Sequence, residues 1–172
     1  MESEQTETIT FLHFNDAYHI EPNKQGKLGF INFLDFVERQ RKKYPKALLI
    51  FSGDCFAPSK FSRTHKGHQM AYCINKLGID VACYGNHDFD FPPEHVAELV
   101  KDCKFPWLLG NVKYCDTGKN LGGGLSHYII EHCGVKIGFM GLAGPDFTGR
   151  LISAYKDKLK YIDIKEYAKK MC

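Results

Sequence analysis

Residues 67–90 read GHQMAYCINKLGIDVACYGNHDFD. The first half is amphipathic at helical spacing and runs to Gly78, a glycine standing where a helix stops. The second half, IDVACYGNHD, is a short apolar run that ends in a polar cluster of Asn86, His87, Asp88 and Asp90. A helix followed by a strand with acids at its carboxyl end is one unit of an α/β sheet. The flanking sequence decides whether that unit repeats.

Upstream it does. ITFLHF (9–14) reads as a buried strand, and LGFINFLDFVERQRKKY (28–44) as a helix with Leu28, Ile31, Leu34, Phe36 and Val37 toward one side. ALLIFSGD (47–54) is a second strand, its start marked by Lys46 after Pro45. Downstream, PPEHVAELVKDC (92–103) opens with prolines suited to a first helical turn, and PWLLGNV (106–112) is a short strand. LGGGLSHYIIEHCGVKIGFMGLAG (121–144) reads as a hairpin turning at Cys133 and Gly134. YIDIKEYAKKMC (161–172) is a helix capped by Asp163, with Ile164, Tyr167, Ala168 and Met171 on one side. The β-α-β-α-β-α-β order predicts an α/β sheet with helices packed on it.

The chain of 172 residues predicts a disordered acidic N-terminus over 1–7 and one domain over 8–172. A hydrophobic content of 44% with 25% charged residues is ordinary globular composition. The net charge of +3 is small, and the basic runs ERQRKKYPK (38–46) and KDKLKYIDIKEYAKK (156–170) read as solvated helix faces, which argues against a nucleic acid polymer as partner. Seven cysteines without a C-x-x-C pair point to a reduced protein, and the polar N-terminus carries no signal-peptide pattern; the expected location is cytoplasmic. No apolar run approaches the length of a membrane span, so no membrane partner is expected.

Each strand of the first half ends in polar residues: Asp16 after FLHFN, Asp54 after LLIFSG, and the cluster at 86–90. Ligands of open α/β sheets bind outside the carboxyl ends of the strands, so these residues can converge on one crevice. Hard oxygen and imidazole ligands suit a pair of divalent or trivalent ions, and a shared carboxylate holds such a pair roughly 3.5–4 Å apart. On this reading Asp16 holds the first ion, Asp54 bridges, and Asn86 holds the second. Gly53 and Gly85, directly before Asp54 and Asn86, would let the backbone turn sharply and approach the ions closely, where a Cβ would hinder it. His87 with Asp90 three residues on makes an oriented imidazole that can donate to a phosphate oxygen or protonate a leaving group.

The segments LHFNDAYHI, LLIFSGDCFAPS and GHQMAYCINKLGIDVACYGNHDFD resemble the calcineurin-like metallophosphoesterases, and among them the 5'-nucleotidase branch, over about Ile9 to Gly144. The resemblance implies a fold of the α/β class, an α+β sandwich, of which this chain is the first half of a four-layer α-β-β-α arrangement. It implies two bound metal ions (zinc, manganese or iron) and hydrolysis of a phosphomonoester, nucleotides included, by dimetal-activated water. Position by position, Asp16, Asp54 and Asn86 match metal ligands, His87 the histidine that stabilises the transition state, and Asp90 the acid that orients it. Where the family has Asp-x-His, this chain has Asp16-Ala17-Tyr18. Tyr18 is thus a candidate ligand that as a phenolate suits iron(III); His19 would substitute only from a loop, since neighbouring strand residues face opposite sides.

The family completes its metal sites with later histidines, whereas residues 145–172 contain none. That predicts weak metal binding, one ion rather than two. It also sets a second expectation beside the first: a truncated, catalytically incompetent half-domain that binds or self-associates through an unfinished sheet.

Smaller features read more plainly. His65 and His68 are expected in a solvated loop, and His127 and His132 on a sheet surface. Cys55 is either a redox-sensitive thiol beside the metals or a small buried hydrophobe. Gly122–Gly124 reads as a flexible turn, because no Gly-Lys-Ser/Thr follows it.

Overall fold

A computed structural model of the chain describes residues 8–22, 29–151, 155 and 157–172. The acidic N-terminus at 1–7 and Leu28 lie outside the described residues.

Four strands, β1 (Phe11–Phe14), β2 (Leu48–Phe51), β3 (Val81–Cys83) and β4 (Trp107–Leu108), form a parallel sheet in sequence order. Parallel neighbours need crossovers. These are α1 (Phe30–Lys43) between β1 and β2, α2 (Lys60–His65) and α3 (His68–Ile74) before β3, and α4 (Pro93–Leu99) before β4. Two antiparallel ladders follow. β5 (Val112–Tyr114) pairs with β8 (Leu159–Tyr161), and β6 (Tyr128–His132) with β7 (Val135–Phe139). Two further α-helices, α5 (Phe147–Arg150) and α6 (Ile164–Met171), lie in the last part of the chain, and short 3-10 turns include His87–Asp90.

Local signals act where the sequence puts them. Gly78 takes the left-handed conformation (φ 68°) after a 3-10 turn that extends α3, and Cys133 and Gly134 both have positive φ in the β6–β7 turn, as a tight hairpin requires. Pro93 opens α4, and the Asp163 carboxylate caps α6 by accepting from the N–H groups of Lys165 and Glu166.

The core lies around β2 and the Trp107 ring. Phe51 (0% exposed) packs against the Trp107 ring edge-on at 5.7 Å, and Phe56 stacks on it at 5.3 Å. Buried Asn111 ties the sheet end to later chain: its amide donates to the carbonyls of Ala143 (2.9 Å) and Ile162 (3.1 Å), and its oxygen accepts from Ala143 N–H (2.8 Å). These bonds satisfy a polar group that water cannot reach.

Several expectations need correction. β1 is an edge strand, with Phe11 45% exposed, because among the described residues β2 alone pairs with it. On α1 the packed stripe is Phe30, Phe33, Leu34 and Val37, while Ile31 and Phe36 face outward, so the apolar face is rotated from the expected one. The segment around His65 is helical rather than loop, His65 belonging to α2 and His68 opening α3. The three glycines do not form a loose turn. Gly122 is buried, its carbonyl accepts the Tyr84 hydroxyl at 2.8 Å, and a Cβ there would meet the Phe89 ring at 2.9 Å.

Candidate metal centre

Three loops meet beyond the carboxyl ends of β1, β2 and β3. The chain leaves the sheet at Phe14, and residues 15–19 run as loop. There the Asp16 N–H donates to Gly53 O (3.1 Å) and the Ala17 N–H to Asp54 O (3.0 Å). Asp16 (φ 59°) and Asp54 (φ 68°) are both left-handed, a state that Asp tolerates better than most residues.

The loops after β2 and β3 are in direct contact. A Cβ on Gly53 would lie 2.0 Å from the Gly85 nitrogen, and one on Gly85 would lie 2.1 Å from Asp54 Oδ1. Lacking a Cβ, the two glycines let each loop approach the other closely, a contact the sequence did not announce. Asp54 Oδ1 also accepts the His87 backbone N–H at 2.7 Å. Burial raises the Asp54 carboxyl above its ordinary pKa; the His87 amide and ring oppose this, and the negative charge of Asp16 adds to it.

Tyr18 joins this group. Its hydroxyl donates to Asp16 Oδ1 at 2.6 Å, while the Asn15 amide donates to Asp16 Oδ2. Burial pushes the Tyr18 phenol well above its usual pKa, helped by the hydrogen bond to Asp16 and the charge of Asp54, so it stays protonated at neutral pH. Its ring meets the His87 ring edge-on at 6.0 Å. His19 is exposed, its ring set against Tyr18 at 6.4 Å.

His87 and Asp90 form the second half of the centre. His87 Nδ1 lies 3.1 Å from Asp90 Oδ2 and 3.2 Å from Oδ1, with both side chains about two-fifths exposed (40% and 39%). Asn86, immediately before His87, makes no side-chain hydrogen bond among the described residues, which leaves its carboxamide available.

The donor set is thus two carboxylates, a carboxamide and a phenol, all oxygen, and it suits a hard cation better than a soft one. Neither Asp16 nor Asp54 is ion-paired with a Lys or Arg among the described residues. Among the described residues no group of three or more His, Cys, Asp or Glu side chains could hold a metal ion. Asp16, Asp54, Asn86 and Tyr18 offer oxygen donors alone, and within the described residues they do not complete a metal site.

Asp88, named in the polar cluster but given no role from sequence, is fully buried and accepts four backbone N–H groups. Burial outweighs these bonds and raises its carboxyl to about 6. The signal available in the sequence was its place between two candidate site residues and before the buried Phe89. Cys55 is 0% exposed, and burial together with the charge of Asp88 raises its thiol pKa well above the ordinary value; it packs as a small hydrophobe and is poorly disposed to react. Elsewhere His65 stacks on Phe61, and His68 sits 3.8 Å from Asp102 and against the His95 ring.

No protein-family model matches the chain. Individual proteins do. The rat 5'-nucleotidase is 36% identical over 117 residues, 61% of this chain and 20% of its own length. The Vibrio cholerae 5'-nucleotidase is 27% identical over 175 residues, 99% of this chain and 31% of its own. The chain is a relative of the 5'-nucleotidases over a part of their length. The crystal structure of a 5'-nucleotidase precursor from Thermus thermophilus superposes with a TM-score of 0.80 at 24% identity, over 95% of this chain and 33% of that one. A calcineurin-like phosphoesterase from Bacillus subtilis does so at 0.74 and 17%, over 95% and 56%. The fold of this 5'-nucleotidase relative is accordingly the calcineurin-like phosphoesterase fold. It spans about a fifth of the length of the rat protein and about a third of the Vibrio cholerae one.

Proposed function

We propose that the chain carries the metal-holding and proton-handling loops of a phosphoester hydrolase acting on a phosphomonoester, a nucleotide being the favoured substrate. The observation that supports this best is the His87–Asp90 pair at 3.1 Å, joined through the His87 backbone N–H to Asp54 at 2.7 Å. An oriented imidazole is thereby tied to a carboxylate that has no Lys or Arg partner among the described residues.

Asp16, Asp54 and Asn86 would hold one or two hard cations, with manganese or iron better matched to the oxygen donors than zinc. Bound there, such an ion supplies an activated water and neutralises phosphoryl oxygens. The chain's own part is distinct. The Asp90 carboxylate orients the ring through Nδ1, so Nε2, when it carries a proton, can donate to a phosphoryl oxygen or to the departing alkoxide. Tyr18, as a neutral phenol, holds Asp16 in place through Oδ1.

The test is calorimetric titration of the purified chain with Mn2+, with release of phosphate from AMP and p-nitrophenyl phosphate followed alongside. Mn2+ binding that disappears in Asp54→Asn, with hydrolysis lost in step, is expected. A chain that binds neither manganese, iron nor zinc overturns the reading.

A second reading, a self-associating module, is favoured by one observation. The β6–β7 ladder carries exposed Ile129 (55%) and Val135 (44%), and Phe139 meets the exposed Phe11 of edge strand β1 at 6.3 Å. Apolar edges of this kind invite pairing. A sedimenting monomer at tens of micromolar would rule it out.

A further inference from the structure

Two acids in the centre exchange hydrogen bonds across the loops. Asp54, on the loop after β2, accepts from the backbone of His87 on the loop after β3. Asp88, on the loop after β3, accepts in return from the loop after β2: Oδ2 takes the N–H of Asp54 (2.9 Å), and Oδ1 those of Cys55 (2.9 Å) and Phe56 (3.2 Å). Oδ2 also takes the N–H of Gly85 at 2.9 Å, which folds its own loop back onto itself.

A carboxylate is acceptor-only, with about four lone-pair positions, and here backbone donors fill all of them. Asp88 is 0% exposed and pairs with no Lys, Arg or His among the described residues, so these four N–H groups are what keeps its carboxylate satisfied. Three consecutive amides, 54 to 56, point at one side chain. That arrangement follows from the left-handed turn at Asp54, which backbone sterics alone disfavour.

We infer that Asp88 is a positioning residue: its carboxylate locks the Asp54 loop against the Gly85–His87 loop and so sets where the Asp54 and Asn86 side chains stand relative to each other. The part of this that concerns metal rests on the reading under Proposed function; the lock itself does not. An asparagine of the same size keeps one acceptor oxygen but turns an NH2 toward amide donors, so it sacrifices the bonds on one side and opposes donors with donors. A glutamate is larger but keeps both acceptor oxygens.

The experiment has two arms. In the unmodified chain, hydrogen-bond scalar couplings from the amide nitrogens of residues 54, 55, 56 and 85 to the Asp88 Cγ are expected; their absence overturns the lock whether or not the chain binds metal. In the second arm, Mn2+ affinity is measured for Asp88→Asn and Asp88→Glu, with folding monitored by circular dichroism. The expected order is Asp, then Glu, then Asn, with at least a tenfold loss for Asn. If Asn binds more tightly than Glu, or a folded Asp88→Asn chain binds as the unmodified one does, size rather than acceptance governs the position and the inference fails. Should Asp88→Asn not fold, the couplings and the Glu variant decide. Should the unmodified chain bind no Mn2+, the metal reading falls while the couplings still judge the lock.

Discussion

The hydroxyl of Tyr18 donates to Asp16 Oδ1 at 2.6 Å, two residues back along the same loop. With Asn15 on the other oxygen, the Asp16 carboxylate is held by the chain's own donors, and a cation must compete with them. An imidazole at position 18 would offer a nitrogen ligand in place of a high-pKa phenol. Tyr18→His is expected to tighten Mn2+ or Zn2+ binding by about tenfold or more, given that ligand set. Calorimetry checks this; an unchanged affinity would show that position 18 stands outside the coordination sphere.

On the proposed reading, His87 and Asp90 would act on protons and leave the ions to other residues. Replacing His87 by Ala should lower turnover of AMP by about 10²–10⁴, the usual weight of a general acid, while Mn2+ affinity changes little. Steady-state rates beside a binding titration separate the two. A loss of affinity equal to the loss of rate would make His87 a ligand instead.

Gly85 has no positive φ, so alanine there is conformationally allowed and its effect reports on space alone. The added Cβ would stand 2.1 Å from Asp54 Oδ1 and 2.8 Å from Asp54 N. Something must move, and the cost should be about 1–3 kcal/mol by analogy with other overpacked sites. Urea denaturation measures it, and Mn2+ binding should weaken because the displaced group is Asp54. A variant as stable as the parent would mean that the loops separate easily.

Asp88 gives a pH dependence of defined sign. Its folded pKa of about 6 lies above the ordinary 3.8, so the folded protein holds this proton more tightly than the unfolded chain. Stability from this group is fully present below 3.8 and is lost as pH rises through about 6. Between pH 7 and pH 5 the unmodified chain should therefore gain stability relative to Asp88→Asn, which has nothing to titrate at that position. Paired urea denaturations at the two pH values read the difference; a relative loss on acidification contradicts it.

Much of the fold was legible because its signals are local. A glycine after an amphipathic run stops a helix wherever the chain goes next, and Gly78 does so. Cys133 and Gly134 turn a hairpin because both can take positive φ, and Asp163 caps because its side chain reaches N–H groups two and three residues on. The strand-end acids were legible for a related reason: in a parallel sheet, successive strands deliver their carboxyl ends to the same side.

What the sequence by itself determined is therefore the β-α alternation through β4 and the polar residues beyond the ends of β1 to β3, while α2 and strands β5 and β8 were not read from it. Tertiary structure alone decided which face of α1 is buried, that β1 lies at an edge, and that Gly122 is packed against Phe89. It also decided what Asp88 does. An acid in a polar cluster reads as solvated until the amides of residues 54 to 56, more than thirty positions away, are seen to close on it. Helical period and turn preference act over a few residues, whereas burial and hydrogen-bond satisfaction depend on partners that only the folded chain brings within reach.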